Sequence, residues 1–329
     1  MRIDPTLRAL ADPTRLRIMR LLAAMELAVG ELAQVLGQSQ PRVSRHVRIL
    51  CDAGLAERRK EGSWVFLRSA IGLRRAPPLG AAAAHLLAVA EDADAQFAAR
   101  VSEDRRHLAA IRAAREASAA AYFARYAAEW DQLRGLHSPD APVEAALLGA
   151  LGSGNLGALL DVGTGTGRIA ELLASRADQV TALDNSPEML RLARARLQHL
   201  AADNLALVQG DFTALPFAGA AFDTVVFHQV LHYAQAPELA LAEAARVTRP
   251  GGTIAVIDFA AHDREELRSQ HAHARLGFSD EQMLALLGEA GFAAAPPTAL
   301  PGTPLTVKIW TGQRGMSRVP FPSTKAIAA

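Results

Sequence analysis

Three aspartates and a run of glycines are the residues of this chain best suited to holding a small polar ligand. Residues 159–190 read LLDVGTGTGRIAELLASRADQVTALDNSPEML. An apolar run ending at Val162 enters a turn that carries Gly163, Gly165 and Gly167, and a second apolar run, Val180 to Leu183, ends in Asp184. Glycines at alternate positions let a ligand lie against bare backbone at the entrance to a helix. A dinucleotide fingerprint needs its third glycine one position later, where Arg168 stands, so this turn suits a smaller nucleoside with no pyrophosphate. Asp161 precedes the first glycine by two residues. Asp184, with Asn185 beside it, stands where an acid can accept hydrogen bonds from both ribose hydroxyls. Asp211, after a third short apolar run, is placed for an exocyclic adenine amine, with Phe212 or Met189 against the ring. Each acid alone could equally cap a helix or close a turn; the four elements in this order make a nucleoside site the expectation.

The elements that must position these groups follow from alternation. Strand-like runs at 205–208, 224–227, 253–259 and 305–311 alternate with helical stretches at 237–247 and 279–290. Such alternation predicts a mostly parallel, doubly wound α/β sheet with its ligand at the C-terminal strand ends.

The first seventy or so residues are of another kind. Residues 1–75 hold 14 Lys+Arg against 7 Asp+Glu, whereas the remainder holds 21 against 27, so a net charge of +1 conceals a basic head on an acidic body. That split points the head toward a polyanion. Apolar spacing predicts helices over about 4–24, with a candidate break at Asp12-Pro13, and from near Ala28 or Val29 to Gly37. Ser39 is the expected N-cap, with Pro41 in the first turn, of a third helix running to about Ala53. On that helix Val43, Val47, Leu50 and Cys51 share one face, which leaves Gln40, Arg42, Ser44, Arg45 and Arg48 mainly outward, a set able to reach base edges and phosphates. A hairpin from Leu55 to Ser69 follows, turning at Glu61-Gly62, with Arg58, Arg59 and Lys60 toward its tip, where a wing can track phosphates.

These stretches, LADPTRLRIMRLL, ELAVGELAQVLGQSQPRVSRHVRILCDAGL and the hairpin, resemble the ArsR/SmtB family of winged-helix repressors over residues 5–70. The resemblance implies a homodimer that binds double-stranded operator DNA and releases it with an inducer, with Gln40, Ser44, Arg45 and His46 in the groove. Where metal-sensing members often place two cysteines, this chain has Ala28 and Gly30, and the acid-histidine pattern of the other common metal site is not met around Asp92, Asp94 and His107. No metal is expected. Cys51 reads as an inert core thiol.

After a break near Pro77-Pro78, residues 81–133 are alanine-rich and helical, with an apolar stripe through Leu86, Leu87, Val89, Phe97, Val101, Leu108 and Ile111 that suits a subunit interface. Tyr122, Tyr126 and Trp130 recur at a spacing of four and suggest a lid just ahead of the nucleoside-binding half.

LLDVGTGTGRIA, TALDNSPEML, QGDFTALPF, FDTVVFHQVLHY and VTRPGGTIAVIDF make residues 145–312 resemble the class I S-adenosylmethionine-dependent methyltransferases. That resemblance implies S-adenosylmethionine (SAM) or S-adenosylhomocysteine (SAH) as cofactor, with Asp161, Gly163 and Gly165 facing its methionine part. It places Asp184 on the ribose, Asp211 on the adenine and His228 at the edge of the sulfonium pocket. Methyl transfer is an in-line displacement in which alignment supplies most of the rate, and some acceptors also need a base. The candidates are His228, His232 and Tyr126, with Tyr233 nearby. Arsenic methylation needs several thiolates, and the chain has one cysteine.

The expected organisation is therefore a winged helix-turn-helix over 1–75, a helical connector for dimerisation and lid over 76–140, a Rossmann-like methyltransferase sheet over 141–312 and a disordered tail over 313–329. No apolar run reaches the roughly 18 residues of a membrane span, and the first residues lack the apolar core of a secretory signal. The single cysteine fits the reducing cytoplasm. Two readings stand side by side: a DNA-binding regulator whose effector is SAM or SAH, or a working methyltransferase on a small molecule with an accessory DNA-binding domain.

Overall fold

The computed structural model describes residues 2–24, 27–61, 64–71, 77–135, 140–200 and 204–316. They divide into two units, one of Met1–Tyr122 with Ala261–Leu276, the other of Phe123–Ala260 with Gly277–Ala329.

In the first unit, α1 (Ile3–Leu10) and α2 (Pro13–Ala24) are separated at Asp12-Pro13, and the Asp12 carboxylate accepts the Arg15 N–H at 3.1 Å to start the second helix. A two-residue strand β1 (Leu27–Ala28) leads into α3 (Val29–Leu36), which stops at Gly37 in the left-handed region. Then come α4 (Gln40–Asp52), β2 (Ala56–Glu61) and β3 (Trp64–Ser69), the last two pairing antiparallel. Ser39 has the extended backbone of an N-cap but no side-chain cap hydrogen bond, so Pro41 in the first turn is what starts α4 as expected. Ile18, Met19, Leu32, Val43, Val47, Leu50 and Leu67 are fully buried together and fix the helices on the sheet. The β1 strand, paired with Leu67 and Phe66, was not anticipated; two residues carry no periodicity. The hairpin turn itself, at Gly62, lies outside the described residues.

The connector is two helices, α5 (Pro78–Ala93) and α6 (Ala95–Tyr126), rather than one continuous stretch. Asp94 interrupts them: its carboxylate accepts the N–H groups of Gln96 and Phe97 and so caps α6. Arg17 on α2 forks onto the buried Asp104 of α6 at 2.7 and 2.5 Å, and Glu91 of α5 holds both Arg20 and Arg105.

The second unit opens with a 3-10 turn (Ala127–Glu129), α7 (Trp130–Gly135) and α8 (Asp140–Ala150). The parallel part of its sheet is built from β4 (Ala158–Val162), β5 (Gln179–Asp184), β6 (Leu205–Gln209), β7 (Phe222–His228) and β8 (Thr248–Phe259), which run parallel to one another. Between them run α9 (Arg168–Leu173), α10 (Pro187–Arg196) and α11 (Pro237–Val247). Beyond β8 come α12 (Glu266–Gln270), which belongs to the first unit, α13 (Asp280–Ala290), β9 (Phe292–Ala294), β10 (Thr298–Leu300) and β11 (Val307–Arg314). The strand order is β10-β11-β8-β7-β4-β5-β6, with β9 also on β11. The chain winds outward from β4 through β5 to β6, then returns to the other side of β4 with β7, which puts the switch point at the C-terminal end of β4.

The expected end of the ordered sheet at 312 is two residues short. Gln313 and Arg314 continue β11, because they pair with Phe292 and Ala293 and Gln313 also pairs with Thr253 of β8. Residues 317–329, most of the expected tail, lie outside the described residues.

Candidate functional site

At the switch point β4 runs into the glycine turn. Gly163, Gly165 and Gly167 all have positive φ, 69°, 56° and 84°. A Cβ on Gly163 would overlap the side chain of Val230, so any residue but glycine is excluded there by contact as well as by conformation. Val230 comes that close because Gln229, past the end of β7, adopts φ 51°, a strained conformation for a non-glycine residue that turns the chain over the sheet.

Asp161 is 1 % exposed, and one carboxylate oxygen, Oδ2, accepts the Thr164 hydroxyl at 2.6 Å and the Ala170 N–H at 3.1 Å. It braces the turn from beneath. Burial pushes its pKa up to about 6, against the lowering effect of those hydrogen bonds. Asp184 at the end of β5 accepts the Gly165 N–H at 2.8 Å and the Ser186 N–H at 2.9 Å, and burial raises its pKa too. Asn185 is exposed beside it, and Met189 is buried in the first turn of α10, its N–H held by Ser186. Asp211 is exposed with its carboxylate on the Thr213 N–H at 2.7 Å, a local turn, and Phe212 packs partly into the core.

Trp130 lies over the turn, its indole Nε1 3.5 Å from where a Gly165 Cβ would stand. Asp131 next to it accepts the Thr166 hydroxyl at 2.8 Å and pairs with Arg196, which also reaches Thr166 at 2.7 Å. Asp131, Thr166 and Arg196 thus tie the segment that carries Trp130 to the glycine turn. Helix α6 ends at Tyr126 and is followed by the 3-10 turn, and Phe123 meets Trp130 with ring centroids 5.3 Å apart. Tyr233 stacks edge-on to Phe123 at 4.8 Å, while Tyr126 lies under the Arg125 guanidinium. Tyr122 falls in the first unit, bonded to His271 at 2.9 Å.

On the basic head, Gln40, Ser44 and Arg48 of α4 line a cleft of about 520 Å³ together with Gly30, Gln34 and the wing residue Arg58. Arg42, Arg45 and Lys60 are exposed. His46 departs from the expected groove position: its side chain is largely buried, 3.7 Å from Asp12, and desolvation holds its pKa below the usual imidazole value. Cys51 packs against the core as expected, with its thiol pKa raised by burial. Arg59 pairs in register with Phe66. Among the described residues no three His, Cys, Asp or Glu side chains gather as a metal site, and no helix is long and apolar enough to cross a membrane.

Residues 12–58 match the family described as "Bacterial regulatory protein, arsR family", and residues 160–256 match "Methyltransferase domain". The chain joins an ArsR-family regulatory domain to a methyltransferase domain. Over 160 residues it is 31 % identical to a demethylmenaquinone methyltransferase of Renibacterium salmoninarum, covering 49 % of this chain and 62 % of that one. Over 149 residues it is 39 % identical to a malonyl-[acyl-carrier protein] O-methyltransferase of Serratia marcescens, covering 45 % of this chain and 55 % of that one. The chain thus spans little more than half the length of these relatives. Among solved structures, the N-methyltransferase NodS of Bradyrhizobium japonicum in complex with SAH overlays at a TM-score of 0.45 and 20 % identity, covering 53 % of this chain and 86 % of that one.

The methyltransferase domain takes SAM or SAH as its cofactor, and the residues present fit that group. Asp161 Oδ1 and Gln229 Oε1 are buried oxygens without a hydrogen-bond partner among the described residues, one near the C-terminal end of β4 and the other just past that of the adjacent β7. Two orphaned acceptors beside a glycine-only turn suit the ammonium of the cofactor's methionine part. Asp184 retains acceptor capacity for ribose hydroxyls.

A pair that sequence reasoning missed stands behind the turn. His232, 1 % exposed in the short turn after β7, meets Asp258 at the end of β8 with 2.7 Å between Nδ1 and Oδ1. Asp258, fully buried, also accepts the N–H groups of His232 and Phe259 at 3.1 and 2.8 Å. Asp258 thus orients the imidazole through its Nδ1. Phe259 and Tyr233 flank the ring at 5.0 and 4.1 Å. His228, the other histidine candidate, ends β7 half-buried.

Proposed function

We propose that this chain is a cytoplasmic, homodimeric, repressor-like transcription regulator in which SAM or SAH, bound at the glycine turn, changes the affinity of the winged helix for operator DNA. The observation that supports the reading is the pairing in one chain of an arsR-family domain lacking the metal-sensing cysteines with a methyltransferase domain that carries a glycine turn held by Asp161 and Asp184. A regulator of that family without a metal needs another effector. The exposed α4 residues Gln40, Arg42, Arg45 and Arg48, with half-exposed Ser44, would read the major groove, and Arg58, Arg59 and Lys60 the backbone. Exposed Ile3 and Leu7 on α1 and Leu86 and Val89 on α5 supply an apolar surface for the second subunit. The test is fluorescence anisotropy with a duplex selected by the protein from a random-sequence library, titrated with SAM and with SAH. One of the two is expected to shift DNA affinity at least several-fold, and Asp184→Ala to abolish the shift. Curves that superimpose across both titrations would falsify the reading.

The His232–Asp258 pair favours a second activity in the same site, methyl transfer to a small molecule with an ionisable proton. His232 Nε2 would take that proton as the acceptor atom bonds to the methyl carbon; the cofactor supplies the methyl group and keeps the electron pair of its broken C–S bond as SAH. His232→Ala should then abolish transfer of labelled methyl to cell-extract metabolites while SAH affinity, measured by calorimetry, stays within about threefold. Equal transfer by His232→Ala and the unsubstituted protein would remove His232 from the chemistry.

A further inference from the structure

Residues 261–276 leave the sheet after β8 and return to it at α13, yet they pack within the same unit as residues 1–122. The neck of this loop is closed. His262 donates its N–H to the Leu276 carbonyl at 3.0 Å, Ala260 bridges Phe278, and Gly277 has φ 72° with its α-carbon so close to the Ala260 carbonyl that a Cβ would overlap it. From the loop Arg275, 1 % exposed, places its guanidinium 4.4 Å from the centroid of Phe66, and Arg268 stands 6.0 Å from the same ring. A desolvated guanidinium on an aromatic face is a strong and orientation-dependent contact.

Phe66 is no incidental neighbour. It lies on β3, the central strand of the head's sheet, paired with Arg59 of the wing on one side and with Ala28, just ahead of α3, on the other. A shift of Phe66 would therefore carry the basic wing strand and the entry to the helix-turn-helix together.

The loop also meets the second route by which the chain passes from head to methyltransferase domain. His271 is hydrogen-bonded to the hydroxyl of Tyr122, the last residue of α6 in the first unit, with the rings edge-on. One residue further on is Phe123, which stacks on Trp130 over the glycine turn. At its other end the loop follows Asp258 and Phe259, which hold His232. Of the three places where the chain crosses between the units, the first joins Tyr122 to Phe123, and the second follows Asp258 and Phe259 and leads into the loop that carries His271.

We propose that the loop 261–276, clasped to Phe66 by Arg275 and to α6 by the Tyr122–His271 hydrogen bond, is the element that transmits cofactor occupancy to the DNA-reading head. The proposal rests on the regulator reading. A change at Trp130 or at the end of β8 on cofactor binding would act on the loop from two sides, and the loop grips the wing strand at Phe66 through Arg275 and Arg268. Allosteric coupling needs such a discrete element that both sites bias.

The test compares the full chain with Tyr122→Phe and Arg275→Met. For each, the affinity for the selected duplex is measured with and without saturating SAH and SAM, and the SAH affinity with and without duplex. The unsubstituted chain should show a coupling factor of at least about fivefold, equal in both directions. Both variants should keep cofactor-free DNA affinity and SAH affinity within about threefold while the coupling factor falls toward one. Tyr122→Phe removes a single oxygen and decides the matter if Arg275→Met does not fold. Variants that couple as the unsubstituted chain does, or that lose cofactor-free DNA binding, overturn the proposal and leave the regulator reading standing. Absence of coupling in the unsubstituted chain overturns both.

Discussion

Asp161 is the residue through which the proposed cofactor site would respond to proton activity. In the cofactor-free fold its carboxyl is buried with one oxygen satisfied and the other orphaned, and its pKa is pushed up to about 6 from an ordinary 3.8. The folded form therefore holds a proton that the unfolded chain has already lost between these two values. Raising the pH through that window costs the cofactor-free fold about 1.4 kcal/mol per unit, and the loss is complete above 6. A ligand ammonium against Oδ1 reverses the preference, because it binds the carboxylate. SAH affinity should then weaken about tenfold for each pH unit below the raised pKa, so that binding at about pH 5 is roughly tenfold weaker than at about pH 7.5. Calorimetry at the two pH values checks this. Asp161→Asn should flatten the profile, and whatever slope survives belongs to Asp184, whose pKa is raised in the same direction. An equally steep profile in Asp161→Asn would take Asp161 out of the linkage.

At the scale of elements, what could be read in advance was what local chemistry dictates. The glycine turn was legible because three alternating glycines between an apolar run and a helix have few other uses, and the winged helix because Asp12-Pro13, Gly37 and Pro41 punctuate it in order. The acid at the end of β8 was not legible. Asp258 lies 26 residues from His232 and meets it only because β7 and β8 are adjacent parallel strands, a fact of sheet order rather than of spacing. The lid was half legible. Its aromatic residues were visible, but the contact of Phe123 with Trp130 falls outside the spacing of four. Likewise the Asp131–Thr166–Arg196 latch joins three distant segments through long side chains.

On the scale of the whole molecule, the charge split and the uncovered apolar helices belong to one argument. A head carrying seven surplus positive charges is drawn to DNA, but a single winged helix buries too little surface to hold one site against a genome of competitors. Two heads on one palindromic site gain effective concentration instead. Ile3 and Leu7 recur at i, i+4 on α1, and Leu86 and Val89 at i, i+3 on α5, all exposed. Four large apolar side chains on two helices are costly to leave in water, and a second copy of the chain presenting the same helices would cover them. The double substitution Leu7→Glu with Leu86→Glu should give a monomer by sedimentation at about 10 μM, with operator affinity lowered at least tenfold and SAH affinity unchanged within about twofold, since the cofactor turn lies in the other unit. Sedimentation of the unsubstituted chain as a monomer at that concentration would leave the four side chains unexplained and remove the second head from the account of DNA recognition.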